Sequence, residues 1–236
     1  MGATEELLES ALTWLLDEAN HILVALLSII ATLLVIRLTS CLPAYGSRRK
    51  RNPQGRDSSG QKTVKTMVYF GSGGHTTEMI RLVQGLNVQK YQPLIFAIGH
   101  TDVTSQSKVR AANLALEPGA RWLRVYRNRE VKQSWFTTVF TTLWSLIQAL
   151  YVMYRNRPQL LLVNGPGTTV SLCYCAFLLR VLGLTDTTIV FVESFCRTCE
   201  ASLTARLVYP VSDRFIVPWP DLLEKFPRAE YLGHIM

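Results

Sequence analysis

The alternation of apolar and polar positions divides the chain into an apolar N-terminal run, a polar basic stretch, and a body of short apolar runs separated by helical segments. In the body, TVKTMVYF (63–70), YQPLIFAIG (91–99), RWLRVYR (121–127), QLLLVNG (159–165), TTIVFVES (187–194) and DRFIVPW (213–219) each predict a strand. Thr76–Gln84 and Ser105–Leu116 predict helices, and further apolar helical segments lie between the later strands. Near-continuous Val, Ile, Leu and Phe in strands that alternate with helices predict a parallel sheet covered on both faces. The fold class is therefore α/β, a Rossmann-like doubly wound sheet.

One segment is ambiguous by pattern alone. QSWFTTVFTTLWSLIQALYVMY (133–154) carries no charge over 22 residues, enough to cross a bilayer. It is also rich in Thr, Gln and Trp, and it joins two strands that need a crossover of about this length. A second crossing would place Gln159 onward on the far side and divide the sheet, so a crossover helix is expected, buried or lying on a membrane surface.

The N-terminal run has a different character. Ala19–Ile36 contains no Asp, Glu, Lys or Arg over 18 residues, ~27 Å of helix against a hydrocarbon thickness of ~30 Å. Five acids (Glu5, Glu6, Glu9, Asp17, Glu18) and no Lys or Arg lie within the first 36 residues, whereas Arg37–Arg56 carries six bases and no acid. A cleaved signal peptide would want a positive start and a small-residue cleavage site. A retained anchor fits better, and the bases after it place the body in the cytosol and the N-terminus on the far side. The expected organisation is a non-cytosolic N-terminus (1–18), a transmembrane anchor (19–38), a basic linker (39–62) and one folded domain (63–236).

The 236 residues carry a formal charge of +8, which invites an acidic partner. With an anchor in place, an anionic membrane face accounts for the linker's bases, and a nucleic-acid partner becomes secondary. The five cysteines are Cys41, Cys173, Cys175, Cys196 and Cys199. A cytosolic body disfavours a disulfide framework. Cys173 and Cys175 fall in a helical run where residues two apart face different ways, so thiols are expected there rather than a metal site.

Candidate chemistry sits where the strands end, because doubly wound folds bind ligands beyond the carboxyl ends of their strands. GSGGHTT (71–77) follows the first strand. Its glycines allow close backbone approach, and the following helix start offers partial positive charge, which suits a phosphate. It is not a Walker loop, for no lysine lies between Lys65 and Lys90. It is not a dinucleotide fingerprint either, since Thr76 stands where the third glycine belongs and no acid ends the second strand. Later strand ends add His100, Asp102, Ser105 and Lys108, then Arg127, Arg129 and Glu130, then the NGPG turn (Asn164, Gly165, Pro166, Gly167), then Glu193. Five such loops on one edge point to a shared site.

FGSGGHTTEM, RNREVKQS and NGPGTT together resemble the membrane-anchored subunits of the two-subunit UDP-N-acetylglucosamine transferase of asparagine-linked glycosylation. The likeness spans nearly all of Thr63–Met236, although GSGGH alone is shared with the bacterial transferase that builds lipid-linked peptidoglycan precursor. The resemblance implies the acceptor half of a two-Rossmann-domain (GT-B) glycosyltransferase, preceded by a transmembrane helix. A separate soluble catalytic subunit would complete a heterodimer and bind UDP-GlcNAc. The implied reaction adds the second GlcNAc to dolichyl-diphosphate-GlcNAc, β-1,4 and inverting, on the cytosolic face of the endoplasmic reticulum, with the nuclear envelope as a second location. No metal or further cofactor is expected, and the chain alone would be inactive. His75, Glu193 and Asp102 are the candidates for general base. Gly71, Ser72, Gly73, Gly74, Thr76 and the NGPG turn would cradle the acceptor diphosphate, with Arg127, Arg129 and Glu130 beside it. Leu232, Ile235 and Met236 would pack into the partner, the alternative being a final strand in the chain's own sheet. FCRTCEASLTARLVYP departs from the family's leucine- and serine-rich run, so the resemblance carries no role onto Arg197. A rival function is a pure membrane receptor that recruits a catalytic subunit and contributes no catalytic side chain.

Overall fold

The computed structural model describes residues 2–43, 55–56, 62–87, 89–114, 120–128 and 133–233. It divides into two units, Met1–Ser40 and Cys41–Met236. The first is a single helix, α1 (Gly2–Cys41), that is 40 residues long. It runs well beyond the expected anchor, because no proline interrupts the acidic stretch before it. Its segment Thr13–Cys41 is long and apolar enough to cross a membrane, and none of its most apolar window is buried. Most of the expected linker lies outside the described residues; within it, Gly55–Arg56 pairs antiparallel with Lys62–Thr63.

The second unit is built on seven parallel strands: β1 (Thr66–Phe70), β2 (Leu94–Gly99), β3 (Arg121–Val125), β4 (Leu160–Val163), β5 (Thr188–Val192), β6 (Arg214–Val217) and β7 (Ala229–Tyr231). Their order across the sheet is β3-β2-β1-β4-β5-β6-β7. Six of the strands fall within the segments expected from sequence. β7 is too short and polar to announce itself, and it forms because its backbone completes the edge beside β6, where Glu230 also pairs with Arg214.

Side chains alternate between the two faces of the sheet. Val68, Phe96 and Leu162 meet α2 (Gly74–Gln84) and α3 (Val103–Ala111), while Met67, Leu161 and Phe191 meet α4 (Trp135–Asn156), α5 (Thr168–Val181) and α6 (Leu203–Val208). The helix expected over Ser105–Leu116 is observed as Val103–Ala111: Asp102 caps it and starts it two residues earlier, and Asn113, at φ 59°, lies in the left-handed region just past its end. α4 is the crossover from β3 to β4, so its inner side is occupied by the sheet and by α5.

A charge pair on α5 reaches into the interior. Arg180 on α5 is 1% exposed and donates to Asp213 Oδ2 (2.6 Å), to the Thr187 carbonyl (3.2 Å) and to the Cys41 carbonyl (3.1 Å). Cys173 and Cys175 are buried on the same helix. Burial pushes the Cys175 thiol up to about 11 and the Cys173 thiol higher still, so both are inert neutral groups at physiological pH.

Candidate active site

The strand order reverses between β1 and β4, and the loops that follow these two strands meet there. Such a reversal opens a crevice at the carboxyl end of the sheet. Two glycines make the meeting possible. A Cβ on Gly71 would lie 2.0 Å from Pro166 Cγ, and one on Gly165 would lie 2.6 Å from His75 Cε1. Gly73, at φ 70°, turns the chain into α2 through a conformation that L side chains disfavour.

Both helices that follow begin without a side-chain cap and without an acid in the first turn. Their leading N–H groups and dipole ends therefore favour an anion. Behind the glycine loop, Thr76 is fully buried and donates to the Gly71 carbonyl. Its hydroxyl lies 2.7 Å from that of Ser105, which in turn donates to Asp102 Oδ2 at 2.6 Å. Asp102 also caps α3 by accepting from Ser105 N, and it pairs with Arg127 at 3.5 Å. These residues hold the loop's shape from behind.

His75 stands at the front. Its Nδ1 is 3.2 Å from Glu78 Oε2, one turn along α2. An ionised carboxylate only accepts, so this contact places the ring proton on Nδ1 and leaves the Nε2 lone pair available. Glu78 is fixed in turn by Ser194 Oγ (2.6 Å), Phe195 N (3.1 Å) and Asn164 Nδ2 (3.4 Å). Asn164 also donates to the His75 carbonyl at 2.9 Å, tying β4's loop to α2. A cavity of about 320 Å³ opens here, lined by His75, Glu78, Gly74, Gly165, Ser194, Cys196, Arg197 and Ser202.

Burial acts to raise the Glu78 pKa, but hydrogen bonds from His75 and Ser194, electrostatic attraction to the His75 ring and the Phe195 N–H outweigh it and hold the carboxyl below its ordinary 4.5. A carboxyl depressed on folding stabilises the native state fully above its unfolded pKa, and that contribution is lost as pH falls through the folded value. The thermal stability advantage of the native chain over Glu78→Gln is accordingly expected to be constant near neutrality and to shrink below pH 4.5. Melting of both proteins across that range checks it.

The expected site residues divide sharply by position. Gly71–Thr76 and Asn164–Gly167 come together at the crevice, with His75 facing the cavity. Glu193 does not face it. The side chain is fully buried, with Oε1 accepting from Ser194 N and Oε2 from Ser202 N and Oγ, so it clamps the loop carrying Ser194 and Ser202. Asp102 is likewise buried and engaged, and Arg127 is packed over Gly99 beside it. Arg129 and Glu130 lie outside the described residues, as do Ile235 and Met236; Leu232 is exposed just past β7. Sequence reasoning passed over Glu78 and left Arg197, now at the cavity wall, without a role. The i,i+3 spacing of His75 and Glu78 on a predicted helix was a usable signal for the former.

Comparison with known proteins agrees with this architecture. A family model described as "Oligosaccharide biosynthesis protein Alg14 like" matches residues 66–235. A Homo sapiens protein named UDP-N-acetylglucosamine transferase subunit ALG14 is 40% identical over 76% of this chain and 87% of its own. The Yarrowia lipolytica protein of that name is 38% identical over 87% of this chain and 94% of its own. Among solved structures, a UDP-N-acetylglucosamine 2-epimerase (TM-score 0.53, 18% identity) and Acinetobacter baumannii MurG (TM-score 0.50, 15% identity) share the fold, GT-B in type. The chain covers 70% and 67% of itself in these matches but only 45% and 42% of the respective partner structures. With a family model spanning the whole α/β unit and relatives matched over most of their length, the chain belongs to the Alg14-like family of oligosaccharide biosynthesis proteins.

Proposed function

We propose that this chain is the membrane-anchoring, acceptor-side subunit of a UDP-GlcNAc transferase that adds the second GlcNAc to dolichyl-diphosphate-GlcNAc. The observation that carries the proposal is the His75–Glu78 pair set between two uncapped helix starts at the crevice of a GT-B half. The reaction proceeds with inversion and forms a β-1,4 linkage. His75 Nε2 removes the proton from the acceptor 4-hydroxyl as that oxygen bonds to the anomeric carbon of UDP-GlcNAc. The bond from that carbon to the UDP oxygen breaks, and UDP leaves with the electron pair. Glu78 holds the tautomer and stabilises the imidazolium that forms. The starts of α2 and α5 face the acceptor diphosphate, with Arg197 at the cavity wall.

α1 spans the endoplasmic reticulum membrane, with the body on the cytosolic side, as the bases after residue 36 favour. A soluble catalytic subunit supplies the donor site, and Leu232, Ile235 and Met236 contribute to its docking. Helix ends and arginine meet the diphosphate charge, so transfer requires no metal and persists in EDTA. The test measures GlcNAc transfer from UDP-GlcNAc to a short-chain lipid-diphosphate-GlcNAc by this chain, by the partner, and by both. Activity in the mixture alone is expected. Turnover by this chain alone would overturn the divided site.

The two close glycines separate fold from function. In Gly71→Ala the new methyl meets the rigid Pro166 ring, and a stability loss of about 1–3 kcal/mol is expected. In Gly165→Ala it meets the tip of the His75 ring, which can swing aside. Little stability is lost there, but the displaced base is expected to lower transfer about 10²-fold. Paired melting curves and rates distinguish the two.

A further inference from the structure

α4 is built inside out for a soluble helix. The side that faces the protein carries polar residues from Thr141 to Gln148 and becomes apolar at Ala149, Val152 and Met153. Thr141 and Thr142 donate to the Asn128 carbonyl (2.9 and 3.2 Å), and Ser145 donates to Asn128 Oδ1 (2.7 Å). Gln148 bridges Tyr126 N and the Arg124 carbonyl (2.7 and 3.1 Å). The opposite side is a helical stripe of Phe136, Phe140, Leu143, Trp144, Ile147 and Tyr151, each more than half exposed, with Phe136 at 77% and Ile147 at 63%. A contiguous apolar stripe of this size on a folded domain marks an interaction surface.

We infer that this stripe lies flat in the cytosolic leaflet of the membrane, as a second lipid contact separate from the α1 span. Three observations favour lipid as the occupant. No Asp or Glu occurs from Val131 to Thr185, while Lys132 precedes α4 and Arg155 and Arg157 close it, a pattern suited to an anionic headgroup layer. Trp144, Tyr151 and Tyr154 are the amphipathic aromatics that favour the headgroup boundary, and the Arg157 guanidinium sits 5.0 Å from the Tyr154 ring centre. The chain also carries a helix long and apolar enough to span a membrane, which on the proposed reading tethers the folded unit to lipid.

The geometry ties this surface to the crevice. Asn128, which receives α4's hydroxyls, also accepts from Ser171 at the start of α5 (2.8 Å) and donates to the Gly167 carbonyl (3.2 Å). The buried side of α4 is thereby stitched to the NGPG turn. With the helix resting about 5–10 Å into the headgroup boundary, the turn joined to its inner side is held near the membrane surface, where a lipid-linked diphosphate would lie. A free phosphate or a soluble acceptor would not need this arrangement.

The inference rests on the membrane-anchor part of the proposed function, and the experiment separates them. The full chain, with Cys41, Cys196 and Cys199 changed to serine, carries an environment-sensitive fluorophore through Ile147→Cys or, as control, through Val103→Cys on α3. It is reconstituted in phosphatidylcholine and phosphatidylserine vesicles bearing a nitroxide high on the acyl chain. The label at 147 is expected to shift to shorter wavelength and lose about half its emission or more, as a group at interfacial depth does, while the label at 103 is unaffected. Brominated lipids read the same contact without labels, as greater tryptophan quenching in the native chain than in Trp144→Phe. Equal behaviour of the labels at 147 and 103, or shielding at 147 only when the partner subunit is added, would overturn the lipid contact. Release of the chain from vesicles at alkaline pH would overturn the α1 span alone; quenching at 147 decides the α4 contact in either case.

Discussion

His75→Ala is expected to lower GlcNAc transfer by the assembled enzyme about 10²–10⁴-fold, the usual range for a general base, with the fold and partner recruitment intact. The imidazole is partly exposed and makes one side-chain hydrogen bond, to Glu78, so its removal leaves the core untouched. Glu78→Gln should act through the same ring. The carboxamide can donate to Nδ1 as readily as accept, which releases the constraint keeping the lone pair on Nε2, and a loss of about 10²-fold is expected. Glu193→Gln is expected to behave differently, since Glu193 binds Ser194 and Ser202 rather than facing the cavity. Its effect should appear first in melting temperature. Full transfer by His75→Ala would favour the pure receptor function, in which all the chemistry belongs to the partner.

The largest stability change is expected at the Arg180–Asp213 pair. Asp213→Ala leaves the guanidinium of Arg180 in an interior where the side chain is 1% exposed and the balancing charge is gone. Breaking a buried pair in this way costs about 3–5 kcal/mol, and each kcal/mol lowers the melting temperature of a domain this size by roughly 2–4 °C. The Ile189 N–H also loses its 2.8 Å acceptor in this variant. Combining Asp213→Ala with Arg180→Met removes the orphaned charge, and the double variant should melt above Asp213→Ala alone. Thermal unfolding of the three proteins in the same detergent decides this, and an undiminished Asp213→Ala would show that water reaches Arg180.

The same physics explains what was legible in the chain. Six strands announce themselves because a parallel sheet covered on both faces demands continuous apolar runs, and Thr66–Phe70 and Leu160–Val163 supply them. The GSGGHTT and NGPG turns were legible because close backbone approach requires glycine, and the structure brings Gly71 against Pro166 and Gly165 against His75. The apolar helix before the domain follows from composition and length alone.

Other features are not local properties and were settled only by packing. A strand-end carboxylate reads as a candidate base wherever it occurs. The fold turned Glu193 inward onto Ser202 and made Asp102 a helix cap, because a buried carboxylate is stable only when its oxygens are engaged. β7 exists because β6 offers an open edge, not because Ala229–Tyr231 favours extension. In α4 the sequence by itself determined a long uncharged helix. Which side faces outward was decided by Asn128 and Gln148: their hydrogen bonds hold the threonine and serine side against the protein and leave Phe136, Trp144 and Ile147 outside.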